Sequence, residues 1–250
     1  MAGGELILPE ENAPIHWMWH SLRLDFYPPI KLTRRDGLRF GESIAEYIEP
    51  EDVQPGVTEW QFSGGAICEG MNLHITRQSI RIDVRNPSNS LEWYEHRFEP
   101  ILKLFSQTFS PQVALQCNVA ITGLVDLPPN MDARSFLGGY VMQMHPYKLE
   151  PIERPLHVLG VRLFFPPFAR EDGSRTDWSV NVRVESGIND PGKLFLESTA
   201  EWREPAPWNT QYVTDAVGRL GLVSSFMSDK LVKFLRQPPF PESEDDPHVE

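Results

Sequence analysis

Four short stretches of this chain follow one rule: apolar, arginine, apolar, and in three of the four an acid. They are Leu22-Arg23-Leu24-Asp25, Ile80-Arg81-Ile82-Asp83, Val161-Arg162-Leu163-Phe164 and Val182-Arg183-Val184-Glu185. Successive side chains of a strand point to opposite faces, so in each stretch the apolar members share one face and the charged members the other. A sheet buried on one side and wet on the other is the arrangement that satisfies this pattern, and antiparallel sheets take it most readily. On the wet face, arginine and acid are placed to pair across neighbouring strands.

Extending the alternation gives strands at about 15–26, 58–68, 73–84, 112–126, 138–148, 156–166, 177–187 and 193–203. Gly70, Asp172-Gly173 and Asn189-Asp190-Pro191-Gly192 mark turns between them. Gly64-Gly65 inside the second strand points to a bulge or a close backbone approach. Three segments have helical spacing instead. Residues 39–48 carry Phe40, Ile44, Tyr47 and Ile48 on one side. Residues 91–109 follow Ser90 as N-cap and carry Leu91, Tyr94, Phe98, Ile101, Phe105 and Phe109, with Pro100 expected to kink the helix. Residues 209–236 carry Val213, Val217, Leu220, Val223, Met227, Leu231 and Phe234, and Pro238 prevents continuation.

The fold class is therefore α+β: antiparallel sheets covered by long amphipathic helices. Each half of the chain ends a group of strands with a long helix, which suggests two related strand-helix units, 13–110 and 111–237. Residues 1–12 read as a flexible N-terminus, and 238–250, "PPFPESEDDPHVE", as an acidic disordered tail.

The formal net charge is −12, and the longest basic cluster is only Lys31-Leu-Thr-Arg34-Arg35. Such a chain repels phosphate backbones, which argues against nucleic acid as a partner. No apolar run approaches the ~20 residues that span a bilayer, and "MAGGELILPEE" lacks the basic start of a signal peptide, so the expected compartment is the cytoplasm, with no membrane partner. Cys68 and Cys117 sit in apolar stretches and read as buried thiols.

Candidate chemistry is sparse. His16 and His20, four apart in "HWMWH", fall with Met18, Leu22, Leu24 and Phe26 on the expected buried face of the first strand. A metal site needs three or four converging ligands, and neither histidine has a Cys, Asp or Glu in register. They read as packed, hydrogen-bonded core histidines, and no metal or cofactor is implied. No Gly-x-Ser-x-Gly, HExxH or phosphate-cradling glycine loop occurs. Glu92 and Glu95 suit a solvated first helical turn better than an acid/base pair.

Two loops concentrate charged and aromatic side chains, where binding function gathers. Residues 123–140 offer Asp132 and Arg134, although a plain helical cap with an adjacent ion pair would use the same residues. Residues 164–178 offer Phe168, Arg170, Glu171, Arg175 and Trp178 on a hairpin tip.

The block "LHITRQSIRIDVRNPSNSLEWYEHRFEPILKLF", the following "ALQCNVAITGLVDLP" and the closing "KLFLESTAEWREP…LVKFL" together resemble, in element order over about 70–236, a sporadically distributed, uncharacterised family of bacterial proteins of about 250 residues. Gln116-Cys117-Asn118 stands where that family has an Arg-rich strand. The resemblance implies no catalytic residues. The family's patchy distribution, like that of mobile and defence genes, implies a phage-defence or CRISPR-associated setting. The expected function is a non-catalytic protein-binding accessory or regulatory subunit whose partner is another protein. The alternative is a hydrolase or transferase whose site assembles from distant strands, with His16, His20 and Asp132 as candidates. The sequence leaves the oligomeric state open.

Overall fold

A computed structural model describes residues 14–56, 58–144, 150–154, 156–169, 173 and 175–237, with the backbone alone for residues 51–53, 55, 67 and 150. The expected terminal tails, and the tip residues Arg170 and Glu171, lie outside the described residues.

The alternating stretches build one antiparallel sheet. Its strands are β1 (Ile15–Tyr27), β2 (Pro50–Pro55), β3 (Glu59–Gly64), β4 (Met71–Thr76), β5 (Ser79–Arg85), β6 (Val113–Asp126), β7 (Gly160–Phe165), β10 (Ser179–Ser186) and β11 (Lys193–Trp202), in the order β2-β3-β4-β5-β1-β6-β11-β10-β7. A short β12 (Ala206–Pro207) also pairs with β6, and β8 (Phe168–Ala169) with β9 (Arg175–Thr176) form a separate hairpin. In each half the first strand lies at the centre, the last strand lies beside it, and the others step outward. Both sequence units thus contribute to a single sheet, joined where β1 pairs antiparallel with β6.

The two central strands repeat one irregularity. The β1–β6 register shifts between Trp17 and Trp19, and again between Asp25 and Phe26. The first shift makes Met18 a bulge residue near the start of β1. The second makes Leu115 one near the start of β6. Both side chains are exposed. With the shared strand order, these matching bulges give the sheet an approximate two-fold relation about its centre.

The buried face carries Leu22, Leu24, Phe26, Phe62, Leu73, Ile75, Ile80, Ile82, Val84, Val119, Ile121, Val182, Val184, Leu194 and Leu196. Helices close over it. In α1 (Arg34–Ile48), Thr33 accepts from the amide of Asp36, and Phe40, Ile44 and Ile48 are buried one turn apart. In α2 (Leu91–Phe109), Ser90 caps the amide of Trp93, and Tyr94, Phe98, Ile101, Leu102 and Phe105 face the sheet; the helix runs unbroken through Pro100. In α4 (Thr210–Ser225), Asn209 caps the amide of Tyr212, and the helix passes through a π turn (Phe226–Leu231) into α5 (Val232–Arg236). Phe26, Phe105, Trp208 and Tyr212 meet ring to ring where α2 and α4 join, and the Trp208 indole N–H donates to Ser106 Oγ at 2.7 Å. No helix among the described residues is long and apolar enough to cross a membrane.

Several sequence expectations are corrected. The strand expected at 73–84 is a hairpin, β4 and β5, because Thr76 Oγ1 accepts from the amides of Gln78 and Ser79 and turns the chain there. The strand expected at 58–68 ends at Gly64 and gives way to a 3-10 turn (Ala66–Cys68). The strand expected at 138–148 begins instead as α3 (Ala133–Ser135) and a π turn (Phe136–Val141), with Phe136 stacked on Tyr140 one turn on. In the last helix the π turn advances the phase by one residue, so Leu235 is buried and Phe234 exposed, the reverse of the expected stripe.

Gly70 is the position where this chain geometry depends most on glycine. Its φ is +80°, and a Cβ there would lie 2.2 Å from the carbonyl oxygen of Arg85. Gly70→Ala is expected to lower unfolding stability by about 1–3 kcal/mol, the range for strained backbone. Urea denaturation measures this, and an unchanged midpoint would contradict the close approach.

Candidate protein-binding edge

The Met18 bulge decides the fate of the two histidines. One extra residue reverses the parity of the strand, so His16 and His20 fall on opposite faces. This corrects the expectation that both share the core side. His16 is exposed on the open face, where Nε2 lies 2.8 Å from Asp126 Oδ2. That hydrogen bond, with help from Lys193, holds the Asp126 carboxyl below the usual carboxylate range. His20 is buried between Trp17 and Tyr94, and neither ring nitrogen has a hydrogen-bond partner among the described residues. The packing expectation fits His20, but the hydrogen-bonding one does not. Asp132, the third residue of the enzyme alternative, belongs to another cluster described below. Among the described residues no three His, Cys, Asp or Glu side chains converge on one point.

Cys117 lies fully buried on β6, and burial pushes its thiol up to about 11. The Arg219 guanidinium reaches in from α4 above it, over the rings of Trp202 at 4.8 Å and Tyr212 at 5.6 Å. This stack reads as cation–π packing at the sheet–helix interface. Nothing in the sequence spacing announces it, because its members lie far apart along the chain.

The open face of the sheet carries the arginine–acid pattern, with a change from expectation. The acids pair mainly along their own strand, two residues on, and not across strands. Arg23 meets Asp25 at 2.9 Å, Arg81 meets Asp83 at 2.8 Å and Arg183 meets Glu185 at 2.6 Å; only Arg183 also crosses, to Glu197 at 3.2 Å. Side chains two apart share a face, and the arginine stem is long enough to lie along the strand. Between these rows run two shallow depressions that share Thr199. One, of about 420 Å³, is floored by Ser21 and Ala120; the other, of about 430 Å³, lies by Asn181. Their charged walls are neutralised by these pairs except at Arg162, which also lines the second.

Strand β7 breaks the pattern. Two residues after Arg162 stands Phe164, not an acid, and no ion pair reaches Arg162 among the described residues. β7 is the last strand of its sheet, with no strand on its outer side among the described residues. Phe164, Phe165 and Phe168 are 59%, 45% and 60% exposed. The Phe165 ring touches Phe226 on the π turn, and Leu222, one turn earlier on α4, is also exposed. Phe165, Leu222 and Phe226 form an apolar corner on the helix side, and Phe164 stands on the other face of a strand edge that is unpaired among the described residues. The sequence did carry a signal for it: Val161-Arg162-Leu163-Phe164 is the one alternating stretch without an acid.

The residues singled out in the sequence fall into two groups. Phe168 is exposed at this corner, and its amide donates to Thr176 Oγ1 across the small hairpin. Arg175 is exposed beside it and reaches Glu204 at 3.4 Å. Trp178 does not project; it is half-buried, stacked on Trp202 and edge-on to Phe226, and so supports the corner from below. Asp132 and Arg134 form a separate cluster. Asp132 accepts from the amides of Arg134 and Ser135 and caps α3. The Arg134 guanidinium pairs with Asp132 and donates to the Leu156 carbonyl. This pair holds the Asp132 carboxyl down to about 2. No hydrogen bond or ion pair among the described residues connects this cluster with Phe168, Arg175 or Trp178.

In comparison with known proteins, no family model and no curated sequence matches the chain.

Burial without a partner lowers the His20 pKa from 6.5 to about 4. The neutral ring is the form that folds, so stability from this group is complete above about pH 6.5 and is lost as pH falls towards 4. The loss amounts to ~3 kcal/mol by proton linkage. His20→Leu is expected to flatten this part of the stability profile, measured by urea unfolding from neutral to mildly acid pH. An unchanged slope would place the titration elsewhere.

Proposed function

We propose that this chain is a non-catalytic protein-binding subunit, accessory or regulatory, that engages its partner through the corner built by β7, the β8–β9 hairpin and α4. The observation that carries this reading is the row Phe164, Phe165 and Phe168, exposed beside an unpaired strand edge. Exposed aromatics clustered at one place are the side chains that dominate protein–protein affinity. Strand edges add main-chain hydrogen bonds in a fixed register. The open face supports the reading by contrast: Asp25, Asp83 and Glu185 are each held by an arginine of the same strand. A setting in phage defence or a CRISPR-associated system rests on the family resemblance alone.

The double substitution Phe164→Ser/Phe168→Ser tests this. Both rings are exposed, so circular dichroism and thermal unfolding should stay close to those of the parent chain, within about 0.5 kcal/mol. Affinity for the protein recovered with the parent chain should fall at least tenfold, since truncating a central aromatic costs about 2 kcal/mol. Full retention of that protein by the folded double variant would sink the proposal.

A further inference from the structure

The β7 edge has a definite polarity of backbone groups. The amide of Ser186 donates to the Leu159 carbonyl at 2.9 Å, so the backbone of Leu159 faces β10. By the alternation of an antiparallel ladder, Val161, Leu163 and Phe165 face β10 too, and Gly160, Arg162 and Phe164 turn their N–H and C=O groups outward. Side chains alternate independently of this. Leu163 packs on the core side and Phe165 touches Phe226 there, while Arg162 and Phe164 lie on the open face.

The opposite edge of the sheet is blunted. β2 reads Pro50-Glu-Asp-Val-Gln-Pro55, with a proline at each end and two adjacent acids. β7 itself carries no acid and no proline, and Pro166-Pro167 follow only after its last residue. Residues 156–169 contain no Asp or Glu, in a chain with 35 acids and a net charge of −12. Here two copies can approach without opposing carboxylates.

We propose that β7 pairs antiparallel with β7 of a second copy, about a two-fold axis through Leu163, so that two sheets become one. This names the partner for the strand edge in the protein-binding reading above, and rests on that reading. The segment is complementary to itself in this register. On the core side Leu163 meets Leu163 of the second copy, and Val161 meets its Phe165. On the open face Arg162 meets Phe164, which supplies the missing neighbour of that arginine through cation–π contact. Moving the axis to Arg162 would set that arginine opposite its own copy and Phe164 opposite Gly160, and both cation–π pairs would be lost. The hydrogen-bonded pairs are then Arg162 with Phe164, both of which turn outward as required. The exposed Phe165 and Leu222, with the half-buried Phe226 between them and the core, extend the apolar contact beside the new seam.

Sedimentation equilibrium of the full chain should show a reversible dimer. Leu163→Cys places two thiols at a non-hydrogen-bonded pair, where Cα atoms lie about 4.5 Å apart, within disulfide reach. Mild oxidation should give a covalent dimer. Arg162→Cys should cross-link at least tenfold more slowly, because its opposite number is Phe164. Cys68 and Cys117 are buried and should not interfere. Phe164→Lys sets a second cation against Arg162 at an exposed position and should weaken dimerisation at least tenfold with circular dichroism unchanged. A chain that stays monomeric at all concentrations, or equal cross-linking through Cys at 162 and 163, overturns this pairing. If the monomer still retains another protein through Phe164 and Phe168, only the pairing fails; if it retains none, the protein-binding reading fails with it.

Discussion

The pairing of β1 with β6 is the contact on which everything else depends. Among the described residues it is the longest ladder in the sheet, and it alone joins strands from the two halves of the chain. A slip by one residue would turn Leu22, Leu24 and Phe26 to water and Arg23 and Asp25 into the core, so the hydrophobic pattern fixes the register strongly. The bulges at Met18 and Leu115 relieve that strictness at the strand starts. Each turns one apolar side chain outward. The first also carries His16 to the open face while His20 stays beneath α2.

The two halves repeat one plan but do not complete it equally. In the first half α1 follows the central strand and lays Phe40, Ile44 and Ile48 over Trp60 and Phe62 on the outer strands. Gly37 lets this helix approach until it touches the Trp60 ring. In the second half the connection after the central strand yields, among the described residues, only the three-residue α3, the π turn and a short 3-10 turn (Glu150–Ile152). Phe136 and Leu137 are buried, but the outermost strand is not covered in the same way, and no residue of β7 is buried. Among the described residues, the exposed phenylalanines stand where the second half lacks a counterpart of α1. The candidate site is thus a product of the architecture, at the one place where the repeat falls short.

How much of this was legible follows from what each signal encodes. α2 could be read to its ends because Ser90 supplies a cap and its apolar stripe keeps a period of three and four. The spans of β1, β6, β10 and β11 could be read within a residue or two because alternation marks a half-buried strand. The β4–β5 hairpin was hidden because its turn, Arg77-Gln78, contains none of the usual turn residues; a threonine hydroxyl makes it. The Met18 bulge was hidden because Trp17, Met18 and Trp19 are all apolar, so losing one step leaves no mark in the pattern. The segment after Gly138-Gly139 misled because Tyr140, Met142 and Met144 mimic a strand, while Phe136 and Tyr140 carry the helical spacing that wins. The corner at β7 was half legible: its loop residues stood out, but its free edge is a property of strand order that one sequence does not show.

Charge placement explains why this edge differs from the rest of the surface. Pairing along the strand makes Arg23, Arg81 and Arg183 on the open face neutral with their own acids, so that part of the face needs no neighbour to balance it. Exposed pairs of this kind add little stability, about 0–1 kcal/mol, but they fix long side chains flat along the strands. Much of the net charge comes from two stretches of the sequence: Glu5, Glu10, Glu11, Glu242, Glu244, Asp245, Asp246 and Glu250 account for eight of the twelve net negative charges, and residues 1–13 and 238–250 contain no Lys or Arg. Like charges at the chain ends oppose indiscriminate contact between copies, at a range that salt shortens. An edge without acids, with one unpaired arginine and three exposed rings, is then the surface where that general repulsion is weakest and specific attraction strongest. Selectivity for that edge therefore comes as much from the acids it lacks as from the phenylalanines placed on it.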